Sequence, residues 1–147
     1  MNASGSENVV SLQLTMLYED EIVQIQLDRQ AAVLQLTFLQ TPTLEQFRNG
    51  YRLAIDRAVA KNVRLWITDA QKIKAMLPEN QVWLKQNMAQ LFTSSQLRKF
   101  AIVMAPECFV MTNPNKVYEK PTPETENASP IKVHFDKEAA VEWLLTN

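Results

Sequence analysis

Apolar residues recur at every second position over the first third of this chain and at helical spacing directly afterwards. That change of period constrains the fold more than any single motif. Leu12, Leu14, Met16 and Tyr18 alternate with Gln13, Thr15 and Leu17; Val23, Ile25 and Leu27 with Gln24 and Gln26; Leu34, Leu36 and Phe38 with Gln35 and Thr37. Period two means one buried face and one wet face. The connections Glu19-Asp20-Glu21 and Asp28-Arg29-Gln30 are short and polar, which predicts an antiparallel meander.

Thr41-Pro42-Thr43 then reads as a helix entry, with Thr43 and Gln46 placed for a capping box. Leu44, Phe47, Tyr51, Ala54, Ile55 and Ala58 follow at helical spacing, and the helix should end near Lys61-Asn62. Val63 to Ile67 reads as a central strand covered on both faces, closed by Thr68-Asp69-Ala70. Pro78 suits a first helical position, with Leu84, Met88 and Leu91 on one stripe and Trp83 beside it. Phe100 to Ala105 is a second central strand, and Pro106 opens a short helix through Cys108, Phe109 and Val110. From Asn113 to Pro130, a stretch holding four of the seven prolines, the pattern predicts a mobile surface loop. Ile131 to Phe135 is a last strand, and Asp136 caps a helix that buries Ala140, Trp143 and Leu144.

The order β-β-β-α-β-α-β-(α)-β-α predicts an α/β domain, bordering on α+β. Its mixed sheet has an antiparallel amino-terminal meander and a parallel carboxyl-terminal half flanked by helices. A chain of 147 residues with 46% hydrophobic content fits one core. We expect a disordered tail over residues 1–10 and a single domain over 11–147.

Composition narrows the function. Only two glycines occur, Gly5 and Gly50, where roughly ten are usual. Gly-rich phosphate loops and dinucleotide fingerprints are therefore excluded. One histidine, His134, and one cysteine, Cys108, leave no metal-ligand set and no disulfide framework, and no cofactor is expected. A net charge of −1 argues against nucleic-acid binding. No apolar run reaches the length of a membrane span, and the first residues lack the pattern of a secretory signal, so a cytoplasmic protein is expected.

Val63 to Asp69 as an apolar strand ending in Asp, Trp83-Leu84 on the next helix, the Ala101 to Ala105 strand, and Phe135-Asp136 with Ala139 and Trp143-Leu144 together resemble STAS-like proteins. These are relatives of the anti-sigma-factor antagonists, grouped with the CRAL-TRIO lipid-transfer fold. The resemblance spans roughly residues 12–146 and rests largely on core positions. It implies a small α/β domain with a four- or five-stranded mixed sheet, and carries no assigned activity. The antagonists hold a phosphorylatable Ser or Thr at the start of the helix after the Asp-bearing strand. Here no hydroxyl residue lies between Asp69 and Trp83, so a phosphate switch there is not expected.

Two candidate sites follow. Asp69, Glu79 and Glu107 each follow a central strand or begin a helix, which puts them on the carboxyl edge of a parallel sheet, where ligands bind in open α/β folds. A turn-forming Asp69 and a dipole-complementing Glu79 are the plainer alternatives. Met88, Met104 and Phe109 are the candidate lining of an apolar pocket, against ordinary core filling. His134 beside Asp136 and Glu138 reads as structural, and Cys108 as a small buried hydrophobe. Arg48, Arg52, Arg57 and Lys61 read as a solvated helix face partnered by Glu45 and Asp56. The expectation is a non-enzymatic regulatory or protein-interaction module that binds a protein partner through the carboxyl-end loops. The alternative is a small carrier or sensor of an apolar, lipid-like ligand. A homodimer is left open.

Overall fold

The computed structural model describes residues 11–108 and 130–146. The expected tail, Phe109 and most of the Pro-rich stretch fall outside them. Six strands form one sheet in sequence order: β1 (Thr15–Glu19), β2 (Val23–Asp28), β3 (Val33–Phe38), β4 (Leu65–Ala70), β5 (Lys99–Met104) and β6 (Ile131–His134). The pairs β1–β2 and β2–β3 are antiparallel; β3–β4, β4–β5 and β5–β6 are parallel. The mixed architecture expected from the change of period is present, with one strand more than the STAS-like resemblance implies.

The helices described from end to end are α1 (Leu44–Ala60), α2 (Pro78–Ser94) and α3 (Lys137–Leu145), and residues 106–108 are helical where Pro106 was expected to open a helix. Thr43 and Gln46 close the capping box on α1, Pro78 sits in the first turn of α2, and Asp136 accepts from the Glu138 and Ala139 amides to cap α3. Two right-handed crossovers that advance in the same direction put α1 and α2 on one face of the sheet. That face buries Leu34, Leu36, Trp66, Phe100 and Ile102 against Phe47, Tyr51, Leu84 and Met88. No described strand follows α3, so it is free of the crossover rule and folds onto the opposite face. There Ala140, Val141 and Leu144 cover Val33, Ile67, Ala101 and Val103.

The first face holds a continuous aromatic stack. Ring centroids lie 5.5 Å apart for Phe38–Phe47, 5.0 Å for Phe47–Tyr51, 5.9 Å for Tyr51–Trp66 and 5.7 Å for Trp66–Phe100. Thr68 Oγ1 meets both polar tips, the Tyr51 hydroxyl and the Trp66 indole N–H, each at 2.8 Å. Burial pushes the Tyr51 phenol far above its ordinary pKa. At Gly50, α1 comes close to the sheet, since a Cβ there would stand 3.0 Å from Val23 Cγ1. Scarce glycine leaves the left-handed turn positions to Ala32 (φ 56°) and Asn62 (φ 52°). Asn tolerates that conformation, whereas Ala32 is strained by roughly 1–2 kcal/mol.

Several local expectations are corrected. A bulge between Met16 and Tyr18 breaks the alternation of β1, leaving Met16 42% exposed and turning Leu17 toward the core. The central strand expected at Val63–Ile67 begins at Leu65 and includes Thr68, Asp69 and Ala70, because Thr68 is buried through its hydrogen bonds. Gln35, expected wet, is buried because α3 and the chain near Leu12 close over its face. Trp143 is only partly buried. It lies under the Lys99 ammonium, 4.9 Å from the ring, and beside Lys132.

Candidate functional site

Between α2 and the β5–β6 edge, the first face carries an apolar cleft of about 350 Å³. Met104, Ile102 and Phe100 share strand parity on β5 and form its floor. Met88 and Leu84, one helical turn apart on α2, form one wall; Met76, just before that helix, and Ile131 and Val133 of β6 complete the lining. Met88 and Met104, paired from the sequence, thus share one cleft, while Phe109 lies outside the described residues. The signals for the rest were parity with Met104 on β5 and the turn spacing from Met88. Val133 is 37% exposed, so the apolar lining runs out to the surface.

The mouth has a polar side. Gln81 donates to the Met76 carbonyl at 3.3 Å, which ties the loop before α2 to the helix. Lys85 lines the cleft one turn before Met88, and its ammonium has no partner among the described residues. A long flexible thioether adapts to varied apolar shapes, and three methionines around one cleft make an adjustable surface. The volume lies in the range of about 300–1,000 Å³ usual for small-molecule sites.

The three carboxylates expected at the carboxyl edge are carried by different elements. Asp69 has the strand parity of Leu65 and Ile67 and so faces the α3 side, where its Oδ1 accepts from the Gln71 amide at 3.2 Å. That is the turn-forming arrangement. Glu79, exposed in the first turn of α2, belongs to the opposite face. Glu107 shares a surface hollow with Lys72 and Lys74. Counting parity from Trp66 would have separated Asp69 from Glu79. The helix starts also bring partial positive charge to this edge, which acids such as Glu45, Glu79 and Glu138 complement.

The remaining candidates settle into packing roles. Cys108 is fully buried. His134 is buried, with its ring centroid 5.5 Å from that of Trp143; burial and the nearby Lys132 charge lower its pKa, so the imidazole is neutral at pH 7. The α1 cations partner aromatic and amide groups, not Glu45 and Asp56. Arg48 and Arg52 stand over the Trp83 ring at 5.7 and 5.5 Å, Arg48 Nε donates to Asn80 Oδ1 at 2.9 Å, and Arg57 stands over Tyr18. Among the described residues no group of three or more His, Cys, Asp or Glu side chains could hold a metal ion, and no helix is long and apolar enough to cross a membrane. Comparison with family models, curated proteins and solved structures gave no match for this chain.

Proposed function

We propose that this chain is a non-enzymatic STAS-like binding domain, a small carrier or sensor that seats an apolar or amphipathic ligand between α2 and the β5–β6 edge. The observation that carries this reading is the Met76, Met88 and Met104 cleft, open at a partly exposed β6 and edged by Lys85, whose ammonium has no partner among the described residues. Apolar lining that reaches the surface gains free energy when a ligand removes it from water, about 25 cal/mol per Å². A lysine at the mouth suits an anionic head on an apolar body, such as a fatty acid. The cleft needs no catalytic group to do this. Native mass spectrometry of freshly purified protein, followed by titration with oleate, tests the reading. The expected result is a bound lipid-like mass, or saturable oleate binding that Met104→Lys abolishes. Absence of both, or equal binding by a folded Met104→Lys variant, overturns it.

A second reading, a regulatory module that captures a basic protein surface through its carboxyl edge, is favoured by the exposed carboxylates of Glu79 and Glu107. Neither has a partner among the described residues. Such charges act more on association rate than on intrinsic affinity. Partner capture at low salt that is lost in a folded Glu79→Lys/Glu107→Lys variant, with oleate binding absent, supports this reading over the first.

A further inference from the structure

The amino-terminal edge of the parallel strands carries a further hollow, of about 440 Å³, between the starts of β4 and β5 and the end of α3. Arg64, Arg98 and Lys99 line it, with Leu65, Leu144 and Leu145 as its apolar side. Among the described residues no carboxylate lines it, in a chain whose 16 acids and 15 bases nearly balance. The strand register brings the cations together. Leu65 pairs with Lys99 across the parallel β4–β5 ladder, so Arg64 and Arg98 stand side by side one residue earlier. The Arg98 amide donates to the Arg64 carbonyl at 2.7 Å. Neighbouring strands lie about 4.8 Å apart, and like charges set directly opposite one another destabilise a sheet.

The three cations are not equivalent. The Lys99 ammonium donates to the Trp143 carbonyl at 2.7 Å and to the Thr146 carbonyl, at the negative end of the α3 dipole. The fold accounts for that lysine. Arg64 and Arg98 are exposed, and neither guanidinium has a partner among the described residues. Asp28, before the turn that leads to Ala31, is 5% exposed, and its two oxygens accept from the Gln13 and Ala31 amides at 2.9 Å each. Glu142, in the last turn of α3, does not line the hollow. Arg29 and Lys61 line a smaller hollow with Ala32, the chain neighbour of Ala31, and add to the positive field at this edge. Two adjacent guanidinium forks beside a fixed ammonium suit an oxyanion with several acceptor oxygens, which such forks bind in bidentate fashion. Three positive charges attract a dianion more strongly than a monoanion. Leu145, 39% exposed, gives an apolar body a surface to cover.

We infer that this hollow binds the dianion of a phosphate monoester, its oxygens held by Arg64 and Arg98 and its organic part resting against Leu145. Lys99 and Met104 are the two ends of β5, so the site stands or falls independently of the methionine cleft. The test is a titration of the ¹⁵N-labelled full chain with phenyl phosphate at pH 7 and constant ionic strength, where a monoester with a second pKa of about 6 is mostly dianionic. Benzenesulfonate serves as a monoanion of similar shape. The expected result is a saturable shift of the Leu65, Lys99, Leu145 and Thr146 backbone amides, with phenyl phosphate bound about tenfold or more tighter than benzenesulfonate. Arg64→Gln and Arg98→Gln, at exposed positions that leave folding intact, should each weaken binding about tenfold, the scale of one lost charge-assisted hydrogen bond. Lys72→Gln makes the same charge change at the other end of β4 and should leave the affinity unchanged. Vesicles of phosphatidic acid, set against phosphatidylglycerol vesicles of equal surface charge, separate the two sources of a monoester. Recruitment to phosphatidic acid alone supports the site with a lipid headgroup as occupant, and phenyl phosphate binding without recruitment supports it with a soluble one. No saturable shift, equal affinity for benzenesulfonate, unchanged affinity in both folded arginine variants, or an equal loss in Lys72→Gln overturns the assignment.

Discussion

Thr68 and Gln35 are both buried polar residues on adjacent central strands, and they mark how differently the two faces of the sheet are built. On the first face, Thr68 Oγ1 serves the Tyr51 hydroxyl and the Trp66 indole inside a stack of aromatic rings. Both bonds that its oxygen can accept are made, and two long helices cover it. On the second face, Gln35 Oε1 has no hydrogen-bond partner among the described residues and lies beneath one nine-residue helix. The first face is organised for cohesion, except at the cleft by β6. The second tolerates an unsatisfied acceptor.

The largest effect that could break this contrast is aromatic truncation. Trp66→Ala should lower the unfolding free energy by about 3–5 kcal/mol, and Leu144→Ala on the second face by about 2–3 kcal/mol. Urea unfolding of both variants checks this, and equal losses would show that α3 contributes as much cohesion as α1 and α2. Thr68→Val keeps the shape but leaves two buried donors without an acceptor, so a loss of about 2–4 kcal/mol is expected by the same measurement. Gln35→Met should cost far less than Thr68→Val, a change within about 1 kcal/mol, because the orphan acceptor it removes offsets the one part-buried bond to Thr37 Oγ1 lost with it. A loss as large as that of Thr68→Val would mean that the oxygen is already served, and the two faces would then be alike in polar satisfaction.

The smallest effect is one of pH. Burial lowers the pKa of His134 below its ordinary 6.5, so the unfolded chain takes up the proton first. This contribution to stability is fully present above that ordinary pKa and is lost as pH falls from there through the lowered folded value. Thermal unfolding at pH 7 and pH 5 should therefore show a smaller acid loss in His134→Phe than in the parent. An identical loss would place the acid sensitivity elsewhere.

Much of the fold was legible because local chemistry specified it. The alternation of Val23, Ile25 and Leu27, the Thr43–Gln46 box, Pro78 and the Asp136 cap each act within a few residues, and each is where the pattern puts it. The bulge in β1 was not legible, because an inserted residue leaves no side-chain signature, and it sent Met16 outward. The end of β4 was misplaced because Thr68 and Asp69 look like turn residues until Tyr51 and Trp66 supply partners for the first. In the candidate cleft, Met88 and Met104 were legible as apolar positions that a βα arrangement brings together. Lys85 was not, since a lysine on a helix face gains meaning only beside a cleft.

Sequence alone determined the element types, most of their starts, the antiparallel-then-parallel sheet and the exclusion of glycine-built phosphate loops. All of these follow from spacing, caps and composition, which act over a few residues. Tertiary structure alone decided which face α3 covers, that Gln35 is buried with a free oxygen, and that Asp69 and Glu79 belong to opposite sides of the sheet. Those outcomes depend on contacts between segments as far apart as Gln35 and Val141, and no local pattern encodes a neighbour a hundred residues away.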